Sequence, residues 1–221
     1  MTVAIAIFVK TPTLSPVKTR LAATIGKKKA IEFYGLCLSA VRATVEKANA
    51  TPFWAVGEEN GLNSPLWQDF GRLYTEDGGL GERQHHIYKT LRAKYDQVLL
   101  IGADTPQISP PLLQEAIAAL EHHDFVIGPA RDGGYYLFGG RVTVSKNIWT
   151  EVSYSVSTTR QKLQSLLPSS PASLPMLTDV DTESDFEFVL SEMPEEMTTT
   201  QQEIVRWINE QKKECPVSLH G

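Results

Sequence analysis

The sequence predicts an α/β fold in which helices cover a mostly parallel β-sheet. Three short apolar runs rich in Val, Ile and Ala occur at Val3 to Val9, Phe53 to Val56 and Gln97 to Gly102. Each run is followed by turn residues and then by a helical pattern, which indicates strands alternating with helices. Their nearly continuous hydrophobicity is typical of strands that are buried on both faces of a sheet.

Helical periodicity predicts the segments that join these strands. Lys27 to Ala48 carries apolar residues at steps of three and four, as in an amphipathic helix. A second helix is predicted from near Gly81 to Tyr95. A third begins after Ser109-Pro110, which supplies an N-cap and a proline at the first helical position, and continues through Leu120.

The second half of the chain gives weaker signals. Further strands are predicted at Asp124 to Gly128 and Gly134 to Gly139, and the proline-rich stretch from Leu166 to Pro175 is predicted to be a loop. Thr182 to Asp185 and Thr200 to Glu203 have the form of capping boxes, so each should open a helix. The second of these helices is expected over about residues 200–213.

Composition narrows the possible partners. The 221 residues are 42% hydrophobic and 21% charged, which excludes a disordered chain or a coiled coil and suits a single domain over residues 1–221. A formal net charge of −5 disfavours a broad nucleic-acid surface. The chain has no apolar stretch of the roughly twenty residues that a membrane span needs. Two widely separated cysteines without metal-type spacing favour a cytoplasmic protein.

Basic residues follow the first predicted strand. In an open parallel sheet, ligands bind beyond the carboxyl ends of the strands, where Lys10, Lys18 and Arg20 fall within eleven residues of one another. Three cations on one loop suit phosphate oxygens, although a solvated basic loop is the plainer alternative. The loop is no P-loop, because the G-x-x-x-x-G-K-[ST] pattern is absent and two prolines remove backbone donors.

Aspartates follow the third strand and precede the first capping box. Asp104, held between Gly102 and Pro106, could bind a divalent metal that bridges a diphosphate, or could simply form a turn. Asp179 and Asp181 could supply a second metal ligand, or could favour the N-terminus of the following helix electrostatically.

A glycine pair occurs beside two aromatic residues near the end of the sheet. Glycines permit a close approach to a ligand and tyrosines can stack on a ring, but a plain hairpin turn explains the glycines equally well. The segment consists of Asp132, Gly133, Gly134, Tyr135 and Tyr136.

Five ordered motifs together resemble a known family. They are Phe8 to Ala22, Gly78 to Gln84, Leu99 to Ile108, Gly128 to Gly139 and Asp179 to Phe186. The sequence is similar over about residues 3 to 190 to uncharacterised glycosyltransferase-like proteins of the nucleotide-diphospho-sugar transferase superfamily. Molybdenum-cofactor nucleotidyltransferases and phospholactate guanylyltransferases are related to that family. The resemblance implies the GT-A fold, a Rossmann-like three-layer α/β/α arrangement.

The resemblance also implies roles for individual residues. Asp104 and Asp181 would bind Mg²⁺ or Mn²⁺, and Asp132 to Tyr136 would lie on the acceptor side. The remaining implied residues are basic or acidic side chains around the nucleotide: Lys10, Lys18 and Arg20 on the phosphate side, and Glu82 and Arg83 on the nucleotide side. The family usually has glycine at the position of Ser15, and its relatives have a glycine-rich first loop, so side-chain cations are the expected phosphate anchor here.

The leading hypothesis is a metal-dependent transferase that uses a nucleotide-sugar donor and a small-molecule acceptor. Lys18 and Arg20 would stabilise the leaving phosphate, and Asp132 would accept a proton from the acceptor hydroxyl. One alternative is a nucleotidyltransferase that uses a nucleoside triphosphate and releases pyrophosphate. Another is a catalytically inactive nucleotide-binding protein. The sequence leaves the base, sugar, acceptor and oligomeric state open and allows a homodimer.

Overall fold

The computed structural model describes residues 1–214 and confirms the predicted α/β architecture. Seven strands form one sheet: β1 (Val3–Val9), β2 (Thr51–Val56), β3 (Gly71–Tyr74), β4 (Gln97–Gly102), β5 (Phe125–Pro129), β6 (Tyr135–Gly140) and β7 (Ala172–Ser173). Their order across the sheet is β3-β2-β1-β4-β6-β5-β7.

Eight α-helices connect the strands or follow them in the described part of the chain. They are α1 (Thr19–Ile25), α2 (Lys27–Val45), α3 (Leu80–Arg92), α4 (Pro110–His122), α5 (Lys146–Thr150), α6 (Thr159–Leu166), α7 (Phe186–Ser191) and α8 (Thr199–Glu214). Short 3-10 segments occupy Glu59–Asn63, Pro65–Trp67 and Glu183–Asp185. No helix among residues 1–214 combines the length and apolar character needed to cross a membrane.

The sheet is parallel except where β6 pairs with its neighbours. Strand β1 lies between β2 and β4, and all three run in the same direction, with Phe8 opposite both Ala55 and Gly102. Strand β6 is antiparallel to β4 on one side and to β5 on the other. The carboxyl ends of β1, β2 and β4 therefore meet at a single edge of the sheet.

Alternate side chains of β1 pack against helices on opposite faces of the sheet. Ile5 and Ile7 belong to a buried cluster that includes residues of α2 and α4. Ala4 and Ala6 belong to a second cluster that includes residues of α3, α5 and α6. Because both faces of β1 are covered, consecutive residues along it are all apolar, which explains why the strand could be predicted.

The last helix begins earlier than the sequence predicts. Thr198, not Thr200, caps α8: the Gln201 amide donates to Thr198 Oγ1 at 3.2 Å, and the Thr198 amide donates to Gln201 Oε1 at 2.9 Å. The capping box predicted at Thr182 is confirmed, since the Thr182 amide donates to Asp185 Oδ2 at 2.6 Å.

Five of the strands and α-helices were not predicted, for physical reasons. Helix α1 has seven residues and buries only Leu21. Strand β3 has four residues, β7 has only two within the predicted loop, and α5 has five. Helix α6 buries only Thr159 and Leu163, so its hydrophobic face is too narrow to give a clear period.

Gln201 joins α8 to the loop after β4, and its loss should destabilise the protein. Its side chain is fully buried, and Nε2 donates to the carbonyl oxygens of Pro106 at 2.9 Å and Ile108 at 3.1 Å. We expect Gln201→Ala to lower the free energy of unfolding by roughly 2–4 kcal/mol, because buried polar groups lose their partners. Urea denaturation measures this. The neighbouring Gln202 is exposed, so Gln202→Ala should change the free energy by no more than about 0.5 kcal/mol. Equal effects would contradict the prediction.

Candidate functional site

A cleft of about 870 Å³ opens at the carboxyl ends of β1, β2 and β4. We call it the cleft. Its walls include the loop after β1, the N-terminal end of α3, and the segments that contain Asp132, Ser155 and Asp181. This is the position at which parallel α/β sheets bind ligands. Of the predicted site residues, nine line the cleft: Lys10, Lys18, Arg20, Arg83, Asp104, Asp132, Tyr135, Tyr136 and Asp181.

Lys18 is a buried partner of Asp104. Its side chain is only 3% exposed, and Nζ lies 2.7 Å from Asp104 Oδ1 and 2.5 Å from the carbonyl oxygen of Val180. Burial opposes the positive charge, but the attraction and hydrogen bond of Asp104 outweigh it and raise the pKa of Lys18. The ammonium is thus already engaged, whereas the sequence predicts a cation that is free to contact phosphate.

Arg20 and Asp181 form a second, more exposed pair at the rim. Arg20 Nη1 lies 2.8 Å from Asp181 Oδ2, with side chains 68% and 49% exposed. The Val180 amide donates to the carbonyl oxygen of Asp104 at 3.1 Å, which joins the segment before α7 to the loop after β4. The structure therefore brings Asp104 and Asp181 to the same cleft although 76 positions separate them in the sequence.

Asp179 does not line the cleft. It accepts a hydrogen bond from Thr105 Oγ1. Burial raises the pKa of its carboxyl to about 7; the Thr105 hydrogen bond opposes this shift, and the charge of Asp104 adds to it. Of the two aspartates before α7, the structure thus directs Asp181 into the cleft and turns Asp179 toward the loop after β4.

Asp104 and Asp181 each keep one carboxylate oxygen that could bind a divalent cation. Asp104 and Asp181 each give one oxygen to a cation, and the other oxygen of each has no hydrogen-bond or ion-pair partner among residues 1–214. No group of three or more His, Cys, Asp or Glu side chains in those residues could hold a metal. Two carboxylates complemented by ligand phosphates are a donor set that Mg²⁺ accepts.

Lys10 and Arg83 differ in what they can still bind. The Lys10 ammonium lines the cleft without any ion-pair or hydrogen-bond partner in the described residues, while Tyr34 Oη holds its backbone amide at 3.0 Å. Arg83 instead joins three loop segments: Nη1 donates to the Gly57 carbonyl and Thr75 Oγ1, both at 2.8 Å, and Nε donates to the Gly78 carbonyl at 3.0 Å. Lys10 is therefore the cation most accessible to a ligand.

Glu82 is not brought into the cleft, in contrast to its predicted place beside the nucleotide. Its carboxylate pairs with Lys146 Nζ at 2.9 Å and accepts the Gly79 amide at 3.2 Å, which caps α3. The hydrogen bond from Lys146 lowers the pKa of Glu82, and the Gly79 amide adds to this effect. Consecutive residues of a helix point in different directions, so Arg83 and Gln84 reach the cleft while Glu82 does not.

The predicted acceptor segment is a tight turn that presents one carboxylate. Asp132 Oδ1 accepts the Gly134 amide at 2.8 Å, and the side chain lines the cleft. Gly133 has a φ of 93°, and a Cβ there would collide with the Ser157 carbonyl, so glycine is required by the backbone. Gly133 and Gly134 do not line the cleft, which supports the turn interpretation of the glycine pair.

The two tyrosines are also less available than the sequence suggests. Tyr136 is 2% exposed, its hydroxyl donates to the Pro175 carbonyl at 2.9 Å, and its ring fills the space beside Gly128. Tyr135 donates to Gln84 Oε1 at 2.6 Å, and burial raises its pKa well above the usual value. Both rings form part of the wall, and their faces are held by packing.

The cleft residues that were not predicted as site residues include three polar ones, Glu58, Gln84 and Ser155. Glu58 accepts the Thr11 amide at 2.9 Å and so fixes the loop after β1. Ser155 has a left-handed backbone with a φ of 62°. Only Gln84, the last residue of a motif identified in the sequence, carried a signal that could have indicated its place.

Comparison with known proteins agrees with the superfamily resemblance. Residues 41–156 match the model of a family described as uncharacterized protein conserved in bacteria (DUF2064). A crystal structure from Desulfovibrio desulfuricans, provisionally named a nucleotide-diphospho-sugar transferase, is 27% identical with a TM-score of 0.79. That alignment covers 95% of this chain and 98% of the other. No significant match was found among curated proteins.

More distant structures share the fold. CMP:2-keto-3-deoxy-manno-octonic acid synthetase, solved in complex with CTP, is 10% identical with a TM-score of 0.54, over 86% of this chain and 98% of that one. The 4-diphosphocytidyl-2C-methyl-D-erythritol synthase of Anaerococcus prevotii is 13% identical with a TM-score of 0.51, over 96% and 98% of the two chains. The fold is thus common to nucleotide-diphospho-sugar transferases and nucleotidyltransferases.

The raised pKa of Asp179 predicts a pH-dependent stability. The carboxyl has a pKa of about 7 in the folded state, against an ordinary value of 3.8. Between pH 3.8 and about pH 7 it is therefore protonated in the folded state and ionised in the unfolded state. The contribution of this carboxyl to stability is therefore complete below the lower value and is lost as the pH rises through about 7. Asp179→Asn keeps the hydrogen-bond acceptor and removes this loss. We expect the variant to gain roughly 2 kcal/mol relative to the native protein between pH 5 and pH 8, measured by urea denaturation in EDTA.

Thr105→Val is the control for that measurement. It removes the hydroxyl that donates to Asp179 but leaves the carboxyl in place. The decline of stability with rising pH should persist in this variant. Parallel stability curves for the native protein and Asp179→Asn would show that this carboxyl is not responsible for the dependence.

Proposed function

The chain belongs to the DUF2064 family, and we propose that it is a transferase that uses a nucleotide-diphospho-sugar donor with Mg²⁺ or Mn²⁺. The likeness to the Desulfovibrio desulfuricans structure, at 27% identity over nearly the whole chain, supports this class of enzyme. The more distant likenesses support the fold alone. The rest of the proposal is argued from the cleft.

The charge balance of the cleft carries the choice of donor. Among residues 1–214, four carboxylates and four cationic side chains line it, so their formal charges cancel. A divalent ion would leave a surplus of about two positive charges, which the diphosphate of a nucleotide sugar balances. A nucleoside triphosphate carries about two further negative charges, for which Lys10 is the sole unpartnered ammonium in the described part of the cleft.

Five charged residues of the cleft have a role in this proposal. The unpaired oxygens of Asp104 and Asp181 would hold the metal ion, which would supply positive charge to neutralise the diphosphate and stabilise the leaving group. Lys10 contacts phosphate oxygens directly, and the exposed Arg20 guanidinium does so from the rim. Lys18 orients Asp104 through their 2.7 Å ion pair and stays beneath the site.

Asp132 is the proposed base. One of its oxygens is held by the Gly134 amide, which fixes the carboxylate and leaves the other oxygen toward the cleft. The acceptor hydroxyl attacks the anomeric carbon of the donor sugar, and its proton passes to Asp132. The bond between that carbon and the diphosphate oxygen breaks, and the nucleoside diphosphate leaves with the bonding electrons.

Nucleotidyl transfer is the second candidate, because the fold, which CMP:2-keto-3-deoxy-manno-octonic acid synthetase also has, does not distinguish it from glycosyl transfer. The same metal and cations would then serve attack at the α-phosphorus, with release of pyrophosphate. Incubation with Mn²⁺, a panel of small hydroxyl-bearing acceptors and either nucleotide sugars or nucleoside triphosphates distinguishes the two, because the products differ. We expect a free nucleoside diphosphate from a nucleotide sugar. Pyrophosphate released from a triphosphate would establish the second candidate instead.

Asp104→Asn should abolish metal-dependent nucleotide binding in a protein that still folds, although loss of the counter-charge to buried Lys18 should lower its melting temperature. The amide oxygen still accepts a hydrogen bond from Lys18, whereas the negative charge needed for the metal is lost. Turnover should fall roughly a hundredfold or more, because charge stabilisation is usually the largest catalytic contribution. Calorimetric titration with nucleotide and Mn²⁺ and a thermal melt measure the two effects separately.

Asp124→Asn is the matched control. Asp124 is 36% exposed and lies 3.2 Å from Arg141 Nε, so its substitution also removes the carboxylate of an ion pair, but its cationic partner is exposed and it does not line the cleft. Its variant should bind nucleotide and Mn²⁺ as the native protein does. Normal binding by Asp104→Asn would refute the metal assignment.

A further inference from the structure

Glu192, at the end of α7, accepts four hydrogen bonds from three separate segments. Oε1 accepts Arg131 Nη2 and Thr178 Oγ1, both at 2.8 Å. Oε2 accepts the Thr178 amide at 2.7 Å and Gln107 Nε2 at 3.0 Å. The side chain is 11% exposed, so almost all of its hydrogen-bonding capacity is used inside the protein.

The three segments are those that carry the three cleft aspartates, Asp104, Asp132 and Asp181. Gln107 lies three residues after Asp104, Thr178 lies three residues before Asp181, and Arg131 immediately precedes Asp132. Glu192 itself does not line the cleft. Glu192 therefore lies outside the cleft and contacts one residue of each chain segment whose aspartate lines it.

The network also joins the segments to one another. Gln107 Nε2 donates to the Thr178 carbonyl at 2.9 Å, and Arg131 Nε donates to Thr178 Oγ1 at 3.1 Å. The guanidinium carbon of Arg131 lies 4.3 Å from the centre of the Phe188 ring, which is also on α7. Displacement of the Thr178 segment would break bonds to both of the others, and displacement of either of the others would break its bonds to Thr178 and Glu192.

We propose that Glu192 is a positioning residue, which sets the separation of Asp104, Asp132 and Asp181 and so tunes the affinity of Asp104 and Asp181 for the divalent ion. This inference rests on the proposed function. Two loop carboxylates that must reach one ion depend on their supports, and loss of such a support typically weakens metal binding 10- to 100-fold. An apolar residue could fill the same space, but only an acceptor of this charge can hold the amide, hydroxyl and guanidinium donors together.

The test compares Glu192→Gln with Glu187→Gln. Glu187 lies on the same helix and pairs with Lys212 Nζ at 2.6 Å. Its side chain is 73% exposed and takes no part in the Glu192 network. Binding of Mn²⁺ alone is measured by the loss of the free-ion signal in electron paramagnetic resonance, beside a thermal melt of each variant. We expect Glu192→Gln to bind Mn²⁺ at least about tenfold more weakly, while Glu187→Gln binds it as the native protein does.

Turnover adds a second readout. A positioning role predicts that Glu192→Gln needs a higher Mn²⁺ concentration for half-maximal activity and recovers most of its turnover at saturating Mn²⁺. A lowered melting temperature with unchanged Mn²⁺ affinity would overturn the inference alone and leave Glu192 a structural residue. Failure of the native protein to bind Mn²⁺, both alone and with a nucleoside diphosphate added, would overturn the proposed metal site and this inference with it.

Thr178→Val keeps the test decisive if Glu192→Gln does not fold. Valine has nearly the shape of threonine, and the Thr178 backbone amide still donates to Glu192. The variant loses the hydroxyl that donates to Glu192 and accepts from Arg131. A smaller weakening of Mn²⁺ binding in the same direction, about threefold, is expected, and native affinity in a folded Thr178→Val would contradict the inference.

Discussion

The ion pair between Lys18 and Asp104 is the contact on which the arrangement of the cleft depends. One buried ammonium binds a carboxylate of the loop after β4 and the Val180 carbonyl of the segment before α7, and so joins three distant parts of the chain. A buried charge is costly unless such partners surround it, so the three segments must stay together. Lys18 also adopts a left-handed backbone, with a φ of 49°, a conformation disfavoured for residues other than glycine.

Two other polar networks hold the remaining walls. Arg83 connects the segments after β2 and β3 with the start of α3, and Glu192 connects the three segments that carry the cleft aspartates. In each case the hydrogen bonds of one charged side chain hold together loops that no sheet or helix fixes in place. The groups that can still bind a ligand are those that these networks do not use, chiefly the Lys10 ammonium and the unpaired carboxylate oxygens of Asp104 and Asp181.

Sequence patterns predicted the elements whose burial is complete. Strands β1 and β4 read as continuous apolar runs because helices cover both of their faces, whereas the two-residue β7 left no pattern to recognise. Topology alone placed Asp104 at the carboxyl edge of the sheet. Pairing could not be predicted: Lys18 contacts Val180 across 162 positions of the sequence, and no spacing in the chain encodes that contact. For the same reason the three donors to Glu192 were not predicted.

The neutral charge of the cleft has a consequence for the proposed reaction. A metal ion that approaches alone meets two carboxylates already shared with Lys18 and Arg20, and a diphosphate that approaches alone meets a surface without net positive charge. Each ligand supplies the charge that the other lacks, so under the proposed function each binds more tightly when the other is present. Such a coupling free energy is reciprocal by thermodynamic necessity. A site built from paired charges thus discriminates against free metal and free nucleotide and favours their complex, which is the form a metal-dependent transferase uses.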